Sequence, residues 1–272
     1  PVSAETFFFF SIDIPLCATD ADGDTVIFKI LDAPAYGLAE INGDTLHYTP
    51  AGKTGTDKFS YTAIDTSGNT AEPAQIKVKI RKNAAKHTYA DMSGNPAHYA
   101  ALQLSMRGIV TGERIGTAYF FRPNEEVTRS EFITMAAAAA GLPLEDTTQT
   151  DFVDDSGLSD WAKPYISAAV ASGLISGCPS VNGAVEIRGA NPITVAEASV
   201  IVSNLLTEQL DEYVMTLATE HQPGDDWATT VAAALEKTEV LPEASKKQTP
   251  DSPITRQTAC EMLYAALCML EE

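Results

Sequence analysis

Phe121-Arg122-Pro123-Asn124-Glu125-Glu126-Val127-Thr128-Arg129-Ser130-Glu131 ends an irregular loop and starts a helix. Thr128 and Glu131 stand at capping-box spacing, the threonine hydroxyl covering one amide of the first turn and the glutamate reaching back to another. Behind them Phe132, Met135, Ala136 and Ala139 recur at helical period. Arg129 takes the first helical position, where the positive end of the helix dipole disfavours a cation by about 0.3–1 kcal/mol. A guanidinium beside unsatisfied backbone N–H groups makes a receptor for a carboxylate or phosphate. The plainer reading of the same stretch is an exposed arginine on a well-capped helix.

The pattern recurs. Asn191-Pro192-Ile193-Thr194-Val195-Ala196-Glu197 and Ser252-Pro253-Ile254-Thr255-Arg256-Gln257-Thr258 each lead into a small, apolar helical stripe: Ala198, Ile201, Val202 and Leu205 in one, Ala259, Leu263, Ala266 and Leu270 in the other. An aromatic-Ala pair opens another helix ahead of each, Tyr99-Ala100, Trp161-Ala162 and Trp227-Ala228, at intervals of about 30 residues that mark an internal repeat. Tyr89-Ala90-Asp91 and Phe152-Val153-Asp154 open the first two copies alike, and both later carry a Gly-x-x-x-Gly turn, Gly108 to Gly112 and Gly173 to Gly177. The first helices are expected to bury Tyr99, Leu102 and Met106, then Ile166, Ala169 and Val170, then Val231, Ala234 and Leu235.

An aromatic-x-Asp opening, an aromatic-Ala helix start, a Gly-Ile-Val-x-Gly turn, Phe-x-Pro-Asn and Val-Thr-Arg-x-Glu-Phe together resemble the S-layer homology (SLH) domain. Three copies follow, 86–147, 148–208 and 209–272, the first matching closely and the third least. The resemblance implies an all-α, pseudo-three-fold bundle with ligand grooves between neighbouring repeats. It also implies non-covalent attachment of a secreted protein to a Gram-positive-type wall through a secondary cell-wall polysaccharide, often one whose pyruvate ketal carboxylate meets the family's arginine.

Residue by residue, Arg129 and Arg256 match that arginine, while Val195 replaces it in the second copy; Arg188 is a candidate substitute. Asp91 and Asp154 match the acidic residue that would accept from sugar hydroxyls, with Asp225 or Asp226 as a stand-in in the third copy. Tyr99, Trp161 and Trp227 match the aromatic position, as sugar-stacking faces or as core anchors. Gly112 and Gly177 would let backbone approach a ligand, unless they are helix C-caps. Thr258 replaces the glutamate of the third capping box, weakening that helix start by about 0.5–1 kcal/mol.

Residues 1–84 read as an all-β, immunoglobulin-like sandwich. Gln75 to Arg81 alternates strictly, as do Phe59, Tyr61 and Ala63 against Lys58, Ser60 and Thr62. Thr25–Leu31 and Thr45–Thr49 read as further strands, Phe7–Phe10 as another, and Asn42-Gly43 and Ser67-Gly68-Asn69 as turns. Ala18-Thr19-Asp20-Ala21-Asp22-Gly23-Asp24, Tyr48-Thr49-Pro50 and Gly55-Thr56-Asp57-Lys58-Phe59-Ser60-Tyr61-Thr62 resemble the cadherin-like, Ig-like repeats of bacterial surface proteins, a resemblance that leaves out residues 1–12. Asp20, Asp22 and Asp24 alternate as calcium-loop oxygens do, with Asp65 as a further contributor, or else form a solvated acidic turn. No other cofactor is implied. Asn83–Lys86 is a short linker, about which the two parts are expected to articulate.

Eighteen basic against 37 acidic residues give a net charge of −19 over 272 residues and a pI near 4.5, which opposes nucleic-acid or anionic-membrane binding. No apolar run approaches the roughly 20 residues of a membrane span. No signal-peptide pattern is present, Pro1 reads as the start of a processed or trimmed chain, and Met269-Leu270-Glu271-Glu272 carries no wall-sorting motif. Cys260 and Cys268 stand about 12 Å apart along one helix, too far for a disulfide, and a Cys178–Cys260 pair would need the fold to join them. Neither a Cys-x-x-Cys nor a His cluster points to zinc. The leading function is a wall-anchoring module that displays the β domain. The alternative is a surface adhesin whose β domain binds a protein or glycan, with the SLH part as tether. Catalysis is not expected: Asp154-Asp155 is an ordinary pair in an acidic chain, and Gly-x-Ser-x-Gly, His-Glu-x-x-His and phosphate loops are missing.

Overall fold

A computed structural model describes the chain except residues 1, 8, 9, 21, 22, 52, 83, 84, 86, 181, 182, 208, 209, 211–226, 239, 243, 244, 246, 247 and 272, with backbone alone for 227–229. The chain forms two compact units, Pro1–Lys86 with Gly94–Tyr99, and His87–Ser93 with Ala100–Glu272. Three of the four expected linker residues, Asn83, Ala84 and Lys86, lie outside the described residues.

The first unit is a two-sheet sandwich of seven strands: β1 Val2–Phe7, β2 Ile12–Pro15, β3 Val26–Ile30, β4 Gly37–Asn42, β5 Thr45–Pro50, β6 Gly55–Asp65 and β7 Ala74–Arg81. One sheet has the order β1-β7-β6-β3 and the other β2-β5-β4. The alternation of β7 turns Ile76, Val78 and Ile80 inward, against Phe59, Tyr61 and Ala63 of β6 and Leu46 and Tyr48 of β5. Tyr48 stacks on Phe59 at 5.9 Å. β4 and β5 are joined at Gly43, where φ is +65°.

The first strand departs from expectation. It begins at Val2, runs parallel to β7 with Val2 opposite Ile76, and ends at Phe7. Phe10 N–H donates to the Phe7 carbonyl at 2.9 Å and Thr6 Oγ1 to the Phe10 carbonyl at 2.7 Å, so the chain turns here instead of extending. Tyr99 belongs to this unit too. Its ring packs on Phe7 with centroids 4.8 Å apart, and its hydroxyl donates to Glu5 at 3.0 Å.

In the second unit the described helices are α1 His98–Met106, α2 Arg129–Ala139, α3 Lys163–Ala171, α4 Val195–Leu205, α5 Trp227–Lys237 and α6 Arg256–Leu270, α1 starting in the first. The unit is not all-α. Two hairpins, β8 Glu113–Ile115 with β9 Ala118–Phe120 and β10 Cys178–Pro179 with β11 Val185–Glu186, separate the helices, and 3-10 turns cover Ala90–Met92 and Asp155–Gly157. The cause is visible at the glycines. Gly108 and Gly173 take the left-handed conformation that stops a helix, and the chain then runs extended into a hairpin.

Helices α2, α4 and α6 touch pairwise. Val127 N–H donates to the Ile254 carbonyl (3.1 Å), Ile254 N–H to Ile193 (3.0 Å), and Ile193 N–H to Val127 (2.9 Å). This closes a ring of three backbone bonds just ahead of the three helix starts, with all three side chains fully buried. Leu102, Ile166, Ala169, Val231, Ala234 and Leu235 are buried as their spacing requires, but Met106 and Val170 are 39% and 40% exposed because each lies in the last turn of a short helix. Cys260 is buried and no disulfide joins it to Cys178.

Burial raises the pKa of Glu261 on α6 to about 7. With the folded pKa above the unfolded value of 4.5, the unfolded chain loses this proton first as pH rises. Stability from this group is therefore complete below about pH 4.5 and falls by roughly 3 kcal/mol as pH approaches 7. Glu261→Gln is expected to remove that decline; denaturation midpoints of both proteins at pH 5 and pH 8 measure it.

Candidate functional site

The first-turn amides of the three helix starts are all taken. Arg129 N–H donates to the Asn191 carbonyl (2.8 Å) and Ser130 N–H to Gly189 (3.0 Å). Val195 and Ala196 donate to Ser252 and Pro250, and Arg256 and Gln257 to Glu125 and Pro123, at 2.8–3.0 Å. The Thr128–Glu131 and Thr194–Glu197 capping boxes form, while Thr255 Oγ1 accepts only from Thr258 N–H at 3.3 Å and meets its hydroxyl. The expectation of unsatisfied amides beside Arg129 is thus corrected: a loop from elsewhere in the unit satisfies them, and anion recognition falls to side chains.

Arg256 spans such a loop. Its Nε donates to the Phe121 carbonyl (2.8 Å), its Nη2 to Thr111 (2.9 Å), and the guanidinium lies 4.9 Å from the centre of the Phe121 ring. No carboxylate among the described residues pairs directly with it. It faces a cleft of about 340 Å³ formed with Gly112, Glu113, Phe120, Arg122 and Glu125. Arg122, on the rim, bonds to Glu113 and Glu125.

Arg129 lines a second cleft, of about 210 Å³, with Leu174, Ile175, Gly177, Cys178, Glu197 and Ile201. Here the guanidinium is buried, its Nη1 lies 3.3 Å from Glu197 Oε1, and its Nε has no hydrogen-bond partner among the described residues. Val195, at the matching position of α4, is a buried aliphatic. Arg188, the candidate substitute, donates to Glu186 and to the Pro179 carbonyl, and the Glu186 bond raises its pKa.

Asp91 and Asp154 each hold a pair of backbone amides. Asp91 accepts from Phe121 and Arg122 N–H (2.8 and 2.6 Å), and Asp154 from Ile187 and Arg188 N–H (2.9 and 2.8 Å). Arg122 and Arg188 are the only non-glycine residues with positive φ, +59° and +57°, among those described. Each aspartate holds an arginine in a conformation that costs about 1 kcal/mol or more. Gly112 and Gly177 do not cap a helix; each lines one of the two clefts. A Cβ on Gly112 would lie 2.3 Å from the Tyr89 ring, and one on Gly177 2.7 Å from Phe152, so the opening aromatics of the repeats demand both glycines.

Trp161 is 54% exposed and stands before the first residue of α3, so it is no core anchor and leaves a face open to solvent. The Trp227 side chain, Asp225 and Asp226 lie outside the described residues. So does Asp22; Asp20 Oδ1 accepts from Asp24 N–H (3.0 Å), a local turn, and Asp65 is held by Asn69, whose bonds lower its pKa. No group of three or more His, Cys, Asp or Glu among the described residues is arranged to hold a metal. Two features had no sequence signal: the strained Arg122, and Gly189, where a Cβ would lie 2.1 Å from Ser130 Oγ. No described helix is long and apolar enough to cross a membrane.

Comparison with known proteins finds a bacterial Ig domain over residues 5–79 and an S-layer homology domain over residues 151–198. The chain is 31% identical over 119 residues to the surface-layer 125 kDa protein of Lysinibacillus sphaericus, which covers 43% of the chain and 10% of that protein. It is 29% identical over 135 residues to exoglucanase XynX of Acetivibrio thermocellus (47% and 12%) and 28% identical over 185 residues to an amylopullulanase of Thermoanaerobacterium thermosulfurigenes (66% and 9%). The matches span about a tenth of the length of these relatives. The chain therefore carries an Ig-like domain followed by an SLH domain, and is an extracellular, cell-wall-associated protein.

Proposed function

We propose that this Ig-like and SLH chain anchors a surface protein non-covalently to the wall, through SLH repeats at 86–147, 148–208 and 209–272 that bind an anionic, pyruvylated secondary polysaccharide. The observation that carries this reading is the Arg256 guanidinium in its cleft, with no carboxylate paired directly to it among the described residues. Two of its donors are fixed on backbone carbonyls and the ring of Phe121 supports its face, so it is preorganised for a carboxylate. The ring of bonds through Val127, Ile193 and Ile254 supports a pseudo-three-fold arrangement of the repeats. Trp161 offers an apolar face to a sugar ring. The chain itself carries no catalysis; the two glycoside-cleaving relatives match over a small part of their length, as a shared attachment module would.

A second reading has one observation in its favour. Ile27, Leu31 and Leu38 are exposed on the β-sandwich, which suits an adhesin whose Ig-like domain meets a protein partner.

Co-sedimentation with wall sacculi, with and without their secondary polymer, tests the anchoring. The wild type is expected to pellet only when the polymer is present, and Arg256→Ala to lose about 100-fold in affinity, as for a charge-assisted contact worth ~2–3 kcal/mol. Equal pelleting on stripped walls would overturn the reading.

A further inference from the structure

Arg129 and Arg256 hold the same place at the starts of α2 and α6, yet only Arg129 has a carboxylate paired directly with it among the described residues. Arg256 donates to carbonyl oxygens alone among the described residues, and the two carboxylates of its cleft, Glu113 and Glu125, pair with Arg122 on the rim instead. Arg129 has its side chain 8% exposed, with Glu197 Oε1 at 3.3 Å. Glu197 cannot easily swing away, because its Oε2 accepts the Thr194 N–H of its own capping box at 3.1 Å. The matching glutamate, Glu131, turns both of its bonds onto Thr128 and pairs with no arginine among the described residues.

A ligand carboxylate entering the Arg129 cleft would meet a guanidinium already paired and a second carboxylate beside it, and the like charges repel. The remaining walls are largely aliphatic, with Leu174, Ile175, Val200 and Ile201, and carry Ser176 and Asn204 as polar groups. The unpartnered Arg129 Nε shows that Glu197 does not exhaust this guanidinium as a donor. We infer that Glu197 is the specificity-determining residue of the Arg129 cleft, closing it to acidic sugars and leaving it to an uncharged, acylated one, so that the Arg256 cleft alone takes the carboxylate. The methyl of an N-acyl group suits the aliphatic walls, and its carbonyl suits a guanidinium N–H whose charge Glu197 already balances. This inference rests on the proposed wall-polymer reading.

Calorimetric titration of the full chain with a synthetic hexosamine glycoside bearing a pyruvate ketal tests it. The wild type is expected to bind one equivalent, Arg256→Met none, Glu197→Gln two, and the double variant one. Glutamine keeps an oxygen for Thr194 N–H, so the helix start stands. In the unmutated chain the Arg256 Nε–H resonance, and not that of Arg129, is expected to shift with this glycoside, a readout independent of how the variants fold. Two equivalents in the wild type, a shift at Arg129, or a single equivalent in folded Glu197→Gln would overturn the inference and leave the wall-polymer reading standing. No binding by any variant would remove both.

Discussion

Replacing Asp57 with alanine is expected to cost the β-sandwich about 3–5 kcal/mol, the penalty for breaking a buried charged network by removing its acceptor. Asp57 is buried within the Gly55–Thr62 run and takes four donors: Ala35 N–H (2.8 Å), Tyr36 N–H (2.7 Å), Tyr48 OH (2.8 Å) and Lys58 N–H (3.0 Å). Alanine would strand the Tyr48 hydroxyl at the centre of the core together with two loop amides. Burial, together with the Asp57 carboxylate, pushes the Tyr48 phenol above its ordinary range, so it stays a donor throughout the working pH range. Tyr48→Phe removes one donor and leaves three, and should cost about 1 kcal/mol. Both tryptophans lie outside this unit, so hydrogen exchange at the Val78 and Ile80 amides in the full chain is the suitable measurement. Protection unchanged to within 1 kcal/mol in Asp57→Ala would contradict the role given to this carboxylate.

Gly112→Ala is expected to be comparably damaging in the second unit. The new Cβ would lie 2.3 Å from a Tyr89 ring carbon and 2.7 Å from the Phe120 carbonyl oxygen. Tyr89 is itself buried against Phe121, at 5.2 Å between ring centres, so the ring cannot yield without moving the loop. Overpacking of this kind costs about 1–3 kcal/mol, and more where backbone blocks relaxation. It would also displace the Thr111 and Phe121 carbonyls that position Arg256, so polymer binding should fall together with stability. Gly116→Ala is the comparison. Nothing lies within 4 Å of its Cβ, and only the strain of φ +62° remains, about 1 kcal/mol. Thermal midpoints and cleft affinity for the pair separate the two effects; equal midpoints would contradict the packing account.

The helix starts were legible because capping boxes are local: Thr128 with Glu131 and Thr194 with Glu197 need only three residues of spacing. The β alternation was legible for the same reason, since Ile76, Val78 and Ile80 face inward on periodicity alone. What spacing could not convey was who meets whom. Asp91 and Asp154 stand where a sugar-binding acid was expected, yet about 30 residues downstream each finds two backbone amides to hold. Gly112 and Gly177 were conspicuous, but the reason lies in Tyr89 and Phe152, more than 20 residues upstream in each case. The amides beside Arg129 were free on the helix alone and were filled by carbonyls some 60 residues distant. Trp161 was open to two readings, a sugar-stacking face or a core anchor; α3 starts two residues later, and the ring falls off its buried face.

The central claim is that a carboxylate on the wall polymer is held by Arg256. Titration of the chain with purified secondary polymer, before and after mild acid removal of its ketal carboxylates, addresses it directly. The account predicts saturable binding to the intact polymer, weakened at least tenfold by ketal removal and to the same extent by Arg256→Met, with no further loss when the two are combined. Equal affinity for both forms of the polymer, or full binding by Arg256→Met, would contradict it.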